Sequence, residues 1–445
     1  MKKNDIIIAE TDGCTGDGAG VARCEGRAVF VKGALPGELC RIKIMKVGSS
    51  AVYGRLEELL RPSPERIEPD CPYYPKCGGC AFRHASYEEE LRIKLSRVND
   101  AFERIGGLEL RADTILASEN ILRYRSKSVL AVGRDSLGRA ATGFFRPRSH
   151  DVIGTESCLL QSEAADRAAA VLRGWMDDLP VPHYDEQSGR GLIRHLFCRL
   201  GMVCVVSRSR PDGLGELVRR LVDGVDGLRS VVLNVNPPRG NTVLSGSFET
   251  LWGEDSVTAE LGPLRFGLSP LSFFQVNIPQ ARRLYGLAAD YAELSGKEDV
   301  IDLYCGVGAI GLSAAHLARR VTGVEIVPSA VENARSNALE NGIMNAEFIQ
   351  ADAADAAARF AAEGRKPDVL FVDPPRKGLD ASVIRSVAEM GPEKVVYISC
   401  DPATLARDLK LFSACGYTAV KASAVDMFPR AGHVETAVLM SRVKG

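Results

Sequence analysis

The chain has 445 residues, 45% of them apolar, with a formal net charge of -1 and twelve cysteines. That length fits two to four domains around a substantial core; without an apolar run of about 18 residues or a signal-peptide pattern after Met1-Lys2-Lys3, the expectation is a soluble cytoplasmic protein, with monomer as the expected state. Near-zero net charge excludes a uniformly basic nucleic-acid binder, so any such contact must come from local clusters, and twelve cysteines in a reducing compartment point to metal binding or catalysis instead of disulfides.

Residues 1–60 read as all-β. Short apolar runs at Ile6-Ile7-Ile8, Val21-Ala22-Arg23, Ala28-Val29-Phe30-Val31, Leu39 to Ile44 and Ala51 to Leu56 are separated by Gly, Pro and Ser turns, which predicts a small five-stranded barrel. Alternation in Arg41-Ile42-Lys43-Ile44-Met45-Lys46 puts basic side chains on one face. On Gly18-Ala19-Gly20-Val21-Ala22 and Phe30 to Glu38 this segment resembles a TRAM domain, an oligonucleotide-binding-like barrel, which implies RNA binding.

Arg61-Pro62-Ser63-Pro64 marks a boundary, and residues 61–270 are expected to form a central α+β domain. Three cysteines follow within ten residues, Cys71, Cys77 and Cys80, with Gly78 and Gly79 permitting a tight turn. Three thiols converging on one point need a fourth ligand, and tetrahedral zinc and a cubane iron-sulfur cluster compete. No second Cys-x2-Cys knuckle exists for zinc; Cys158 would complete a four-cysteine cluster, with His84 the alternative fourth ligand. Residues 87–106 have helical periodicity, acids early and bases late. Residues 123–148 are strongly basic: Arg123, Arg125, Lys127, Arg134, Arg139, Arg146 and Arg148 stand against one acid, Asp135, with Tyr124, Phe144 and Phe145 interleaved. Cations for phosphates and rings for unpaired bases are what single-stranded RNA binding needs, although a solvated strand face has the same composition.

Residues 271–445 read as alternating strands and helices. After a helix from Ile278 to Glu293, Asp299-Val300-Ile301-Asp302-Leu303-Tyr304-Cys305-Gly306-Val307-Gly308 is a strand running into a glycine-rich turn, where a ligand can approach the backbone. Glu325, about 20 residues on, ends a second strand and suits a ribose diol, which fits a dinucleotide or S-adenosylmethionine equally. Asp352 ends a third strand, suited to an adenine amino group, and Asp373-Pro374-Pro375-Arg376 ends a fourth. Such an Asp-Pro-Pro turn is typical of methyltransferases acting on planar nitrogen heterocycles. The fifth strand, Val395 to Ser399, runs out at Cys400 before a helix starting at Pro402, where the helix dipole is expected to push the thiol toward thiolate. Glu435 lies between two β-rich runs, at the turn of an antiparallel pair.

Cys71, Cys77 and Cys80 with Cys158, the Asp302–Gly308 turn, Asp373-Pro374-Pro375-Arg376, Ser399 to Asp408 and His433-Val434-Glu435-Thr436 together resemble the bacterial RNA uracil-5-methyltransferases, in the branch with a TRAM barrel and an iron-sulfur cluster that modifies 23S ribosomal RNA. The resemblance implies a C-terminal Rossmann-like methyltransferase domain over 271–445 that uses S-adenosylmethionine. Its nucleophile falls on Cys400, its general base on Glu435, and its cofactor contacts on Gln275, Tyr304, Gly306, Gly308, Glu325, Asp352 and Asp373. It also implies a [4Fe-4S] cluster on the four cysteines, for which a structural role is expected because methyl transfer needs no electron; from the basic cluster, RNA contacts are expected at Arg123, Arg125, Lys127, Arg146 and Arg148. Two positions depart from the family's pattern: Ala309, where asparagine is frequent and a cofactor contact is at stake, and Arg83-His84, where Gln-His is common and the RNA surface is at stake. The alternatives are tRNA uracil-5-methylation, a non-catalytic RNA-binding protein with a vestigial methyltransferase fold, and a nicotinamide-dependent dehydrogenase.

Overall fold

The computed structural model describes residues 1–186, 188–237, 240 and 242–443. Strands Ile6–Cys14, Ala19–Cys24, Arg27–Lys32, Leu39–Val47 and Val52–Arg61 close into a barrel, the fifth lying between the third and the fourth. Alternation builds it: Cys40, Ile42 and Ile44 turn inward to meet Ala22, Val29, Val31 and Val52, and the basic residues between them turn outward. Glu38, fully buried, pins the linker to the barrel by accepting from Arg66 Nε (2.6 Å) and Nη2 (2.8 Å), Ser63 N (3.2 Å) and Leu35 N (2.7 Å).

Among the described residues, seven strands make the central sheet, ordered Ser247–Gly253, Ser230–Val235, Met202–Ser207, Ile193–Arg199, Lys127–Arg134, Ala140–Phe145, Val152–Gly154. Helices Glu163–Asp178 and Leu214–Gly224 bury Leu172, Trp175, Leu217 and Leu221 against Leu196, Val205 and Leu233. On the opposite face Phe197, Cys204 and Val206 join the core of the C-terminal domain. With both faces covered, Met202–Ser207 is buried at every position, which is why it reads as a continuous apolar run.

The C-terminal sheet is ordered Ala346–Gln350, Arg320–Glu325, Asp299–Leu303, Val369–Val372, Lys394–Ser399, Glu435–Arg442, Tyr417–Val425, Ile115–Leu116. The first five are parallel; Glu435–Arg442 then inserts antiparallel to both neighbours. Chain order reverses between Asp299–Leu303 and Val369–Val372, so a ligand crevice opens at their carboxyl ends. This domain reaches beyond 271–445. Ile115 and Leu116 pair with Ala424 and Val425 at the sheet edge, helix Tyr87–Ala101 packs on helix Pro402–Ala414, and the hairpin Val257–Leu261/Leu264–Leu268 puts Val257, Leu261 and Phe266 into the same core as Val300 and Phe371. The boundary expected at 270 therefore cuts through it, and residues 87–101 and 115–116 of the expected central segment join it too, because these short segments find partners far along the chain; the barrel itself ends with the strand that closes at Arg61. Among the described residues, no helix is long and apolar enough to cross a membrane.

Candidate active site

Ser399 pairs with Thr436 in the antiparallel ladder between Lys394–Ser399 and Glu435–Arg442, so the next residue on one strand, Cys400, and the first on the other, Glu435, meet at the same rim. Glu435 is not an exposed turn carboxylate; it opens the strand and is 3% exposed. Asp373, next after Val372, comes from the neighbouring parallel strand. Burial pushes the carboxyls of Asp373 and Glu435 up; for Glu435 the charge of Asp373 adds and Arg376 opposes.

The Cys400 thiol is pushed up to about 11, first by burial and then by the charges of Glu435 and Asp373, against a smaller pull from Arg376. The expected helix-dipole activation is therefore overridden. Asp401 occupies the helix terminus, its Oδ1 accepting from Ala403 N (3.0 Å) and Thr404 N (2.9 Å), and the dipole stabilises that carboxylate instead of the thiol.

Tyr285, from helix Ile278–Ala292, is a member of this cluster that sequence reasoning did not single out. Its hydroxyl is hydrogen-bonded to Gln275 and raised by burial and by Asp373, Glu435 and Asp302. The helical stripe Ala281, Leu284, Tyr285, Ala288 marks it only as buried.

The crevice of the glycine-rich turn lies alongside. Asp302 is fully buried: one oxygen accepts from Gly311 N (2.9 Å), while Oδ1 has no partner among the described residues, and burial raises the carboxyl to about 8. Tyr304 adopts left-handed backbone (φ 67°), and a Cβ on Gly308 would lie 3.0 Å from the Phe348 ring. Glu325 accepts from Gly306 N (3.1 Å) and Val327 N (2.9 Å). Asp352 caps the helix Ala353–Ala362 through Ala354 N (2.8 Å). A backbone cradle with acids at successive strand ends and an orphaned buried oxygen fits S-adenosylmethionine: hydroxyls and an amine to bind, and a positive sulfur to set near carboxylates.

The four cysteines form one neighbourhood. Tyr73 Oη accepts from Glu156 N (2.9 Å), drawing the Cys158 loop onto the Cys71–Cys80 loop. Burial raises Cys77, and the charges of Cys158 and Cys71 add; Cys80 is raised to about 11 by burial, opposed by Arg83, with Cys158 and Cys77 adding. Among the described residues no three His, Cys, Asp or Glu side chains lie close enough to hold a metal ion. Four thiols are a donor set that suits an iron-sulfur cluster or tetrahedral zinc. His84, the alternative fourth ligand, has Nδ1 2.6 Å from Tyr74 Oη, and its Nε2 has no partner among the described residues. Arg83, expected to alter the RNA surface, is 2% exposed and bonds to Asp70 (2.5 Å) and Cys80 instead.

The basic cluster divides. Arg123 donates to Cys158 O (2.7 Å), Gln161 O (3.0 Å) and Asp166 Oδ2 (2.5 Å), so its guanidinium ties the Cys158 loop to the start of helix Glu163–Asp178. Lys127 is lowered to about 8 by burial, with Arg199 and Arg125 adding, and its Nζ lies 5.6 Å from the centre of the Phe273 ring. Arg146 sits 3.8 Å from Asp151. Arg125 and Arg148 line a groove of about 1880 Å³ that runs from the barrel past Cys80 to Cys400 and His433.

A profile of the tRNA (uracil-5-)-methyltransferase family matches residues 264–443, and one of the TRAM domain matches residues 5–56. The chain is 40% identical to an uncharacterized RNA methyltransferase of Clostridium tetani over 99% of its own length and 97% of the relative's. It is 39% identical to one from Bacillus cereus, over 100% and 98% respectively. Among solved structures it is similar to Pyrococcus abyssi tRNA (uracil-54, C5)-methyltransferase in complex with S-adenosyl-L-homocysteine, with a TM-score of 0.79 and 25% identity, covering 97% of this chain and 99% of that one.

Proposed function

The chain belongs to the S-adenosylmethionine-dependent RNA uracil-5-methyltransferases that carry a TRAM domain, and from that premise we propose that it methylates C5 of a uridine in 23S ribosomal RNA, in the cytoplasm and as a monomer. The observation that carries the reaction is the meeting of Cys400 and Glu435 at adjacent strand ends, with Asp373 beside both.

Uracil C5 is a poor nucleophile, and the residue types answer that difficulty. Cys400 loses its proton to water in the groove it lines, and its thiolate adds to C6, moving the C5–C6 electron pair into an enolate. S-Adenosylmethionine, held by Gln275, Tyr304, Gly306, Gly308, Glu325, Asp352 and Asp373, supplies a methyl group on positively charged sulfur. Once C5 has bonded to that methyl through the enolate pair, Glu435 as carboxylate takes the C5 proton; the C–H pair re-forms the C5=C6 double bond as the C6–Sγ bond breaks and the Cys400 thiolate leaves. Burial of Glu435 keeps water from competing for that proton. The target base must leave its stack, at a cost of a few kcal/mol that is smallest in a loop.

Cys71, Cys77, Cys80 and Cys158 would hold a [4Fe-4S] cluster whose role is to hold their two loops together, since no step of the transfer needs an electron. A second reading, a tRNA uridine as substrate, is favoured by the likeness to the Pyrococcus abyssi enzyme. Nucleoside mass spectrometry after incubation with S-adenosylmethionine and unmodified 23S rRNA or tRNA separates the two. The expected result is 5-methyluridine in rRNA alone, lost in Cys400→Ala; product in tRNA alone moves the substrate and keeps the chemistry.

A further inference from the structure

The outer face of the barrel carries an arrangement that methyl transfer does not use. Strands Arg27–Lys32 and Val52–Arg61 run parallel, with Phe30 opposite Tyr53 and Lys32 opposite Arg55. Residues two apart share a face, and burial agrees: Val29, Val31 and Val52 fill the interior, whereas Lys32, Tyr53 and Arg55 are exposed and Phe30 half-buried. One face therefore presents an aromatic rung and, roughly 7 Å along the strands, a basic rung. The Phe30 and Tyr53 rings lie 5.8 Å apart at a 39° tilt, and Tyr53 is 43% exposed.

Both rungs line the groove that reaches Cys400 and His433. The basic rung is at the end nearer the cysteine loop: Gly33, next to Lys32, bonds to Gly18 O (3.4 Å), and Gly18 abuts that loop so closely that a Cβ would lie 2.5 Å from Ala81 O. Arg55, its side chain 61% exposed, is paired with Glu57, whose side chain is 31% exposed; a surface pair of this kind is worth little, and an incoming phosphate can displace it.

We propose that this face is a subsite for an unpaired nucleotide flanking the target uridine, its base stacked on the Phe30–Tyr53 rung and its phosphate held by Lys32 and Arg55. The proposal rests on the reading above that the substrate is RNA. Stacking needs a base with an open face, which a paired base inside a duplex does not offer, so the subsite selects single-stranded RNA. Arg125 and Arg148 continue the positive lining toward Cys400 along the same groove.

The test is fluorescence anisotropy of the full-length protein with a labelled oligouridine of about twelve nucleotides and with an RNA duplex of the same length. Tyr53→Ala is expected to weaken oligouridine binding about tenfold and leave duplex binding unchanged, while Tyr53→Phe keeps the ring and the affinity. Lys32→Ala combined with Arg55→Ala is expected to reduce the salt slope by up to about two. Wild-type affinity in Tyr53→Ala, equal losses for single strand and duplex, or no oligouridine binding by the wild type would each overturn the proposal. The readout needs no methyl transfer: retained methylation with unchanged Tyr53→Ala binding removes the subsite alone, whereas ring-dependent binding without 5-methyluridine leaves the subsite and removes the reaction.

Discussion

Lys94 Nζ lies 2.6 Å from Asp426 Oδ1, 332 residues along the chain, and neither side chain reaches solvent. The same ammonium donates to Glu90 Oε1 (2.6 Å) and Phe428 O (3.0 Å), while Tyr87 Oη donates to Asp426 Oδ2 (2.7 Å) and Arg430 N to Glu90 Oε1 (2.7 Å). Helix Tyr87–Ala101 thus sets the turn that leads into Glu435. Lys94→Met leaves the buried Asp426 carboxylate without its cation and Glu90 with Arg430 alone at 3.6 Å, and is expected to cost about 3–5 kcal/mol in urea denaturation. Lys94→Met with Asp426→Asn should cost less than the sum of the single changes; additive losses would deny the coupling.

Both reactive groups work deprotonated, and both are shifted upward, Cys400 to about 11 and Glu435 by burial beside Asp373. As pH falls below a raised pKa the active form shrinks about tenfold per unit, so the two effects have the same sign. Alkylation of Cys400 by iodoacetamide and methyl transfer should both climb steadily from about pH 6 to pH 9. A flat alkylation profile over that range, followed by peptide mass spectrometry, would mean that the thiol is already ionised.

Glu435→Gln removes the proton acceptor and spares the nucleophile. It is expected to stall after methyl transfer with RNA bonded to Cys400, visible as a slowly migrating species in denaturing gels, and to lower turnover by at least about a hundredfold. Cys400→Ala should give no such band; a band there would assign the covalent bond to another residue.

Burial alone would raise the Glu38 carboxyl, but hydrogen bonds from Arg66, Leu35 N and Ser63 N outweigh it and hold the group below its ordinary 4.5. A group lowered on folding stabilises fully above its unfolded pKa and loses that contribution as pH falls through the folded value. Glu38→Gln should therefore cost about 1–3 kcal/mol at pH 7. The gap to wild type should close in acid below pH 4.5, where Glu38 takes up its own proton; equal gaps at pH 7 and pH 3 would count against the linkage.

Protein purified without oxygen is expected to hold about four irons and four sulfides, and Cys77→Ser to lose most of both. Iron-binding assays with zinc analysis in parallel decide the metal. Ala81 N and Phe82 N, directly after Cys80, bond to Arg430 O (2.8 and 3.2 Å), so the emptied loop should also lower the melting temperature of the C-terminal domain.

What could be read from the chain depended on whether a residue's role is local. Cys400, Asp373, Glu325 and Asp352 stand where apolar runs end, and strand ends are visible in sequence. Asp401-Pro402 is itself a cap signal, so the claim of Asp401 on the helix dipole is legible in the sequence too. Tyr285 is not: a helical stripe says that a side chain is buried, not that three carboxylates surround it. Arg123 shows the same limit, since composition counts cations without showing that Asp166 and two carbonyls bind this one. The pairing of Ile115-Leu116 with Ala424-Val425 leaves no local trace, because two residues carry no period.

The insertion of Glu435–Arg442 between Lys394–Ser399 and Tyr417–Val425 also orders events at the ribosome. Synthesis runs at roughly 5–20 residues per second, so a nascent chain displays Cys400 seconds before the strand bearing Glu435 exists. Ile115-Leu116 and Lys94 wait for Ala424, Val425 and Asp426, and until Glu435–Arg442 follows, the open edge of Lys394–Ser399 is free to pair with another chain. Stalled or truncated translation products should therefore aggregate through that edge, and cellular quality control has only those seconds in which to hold it.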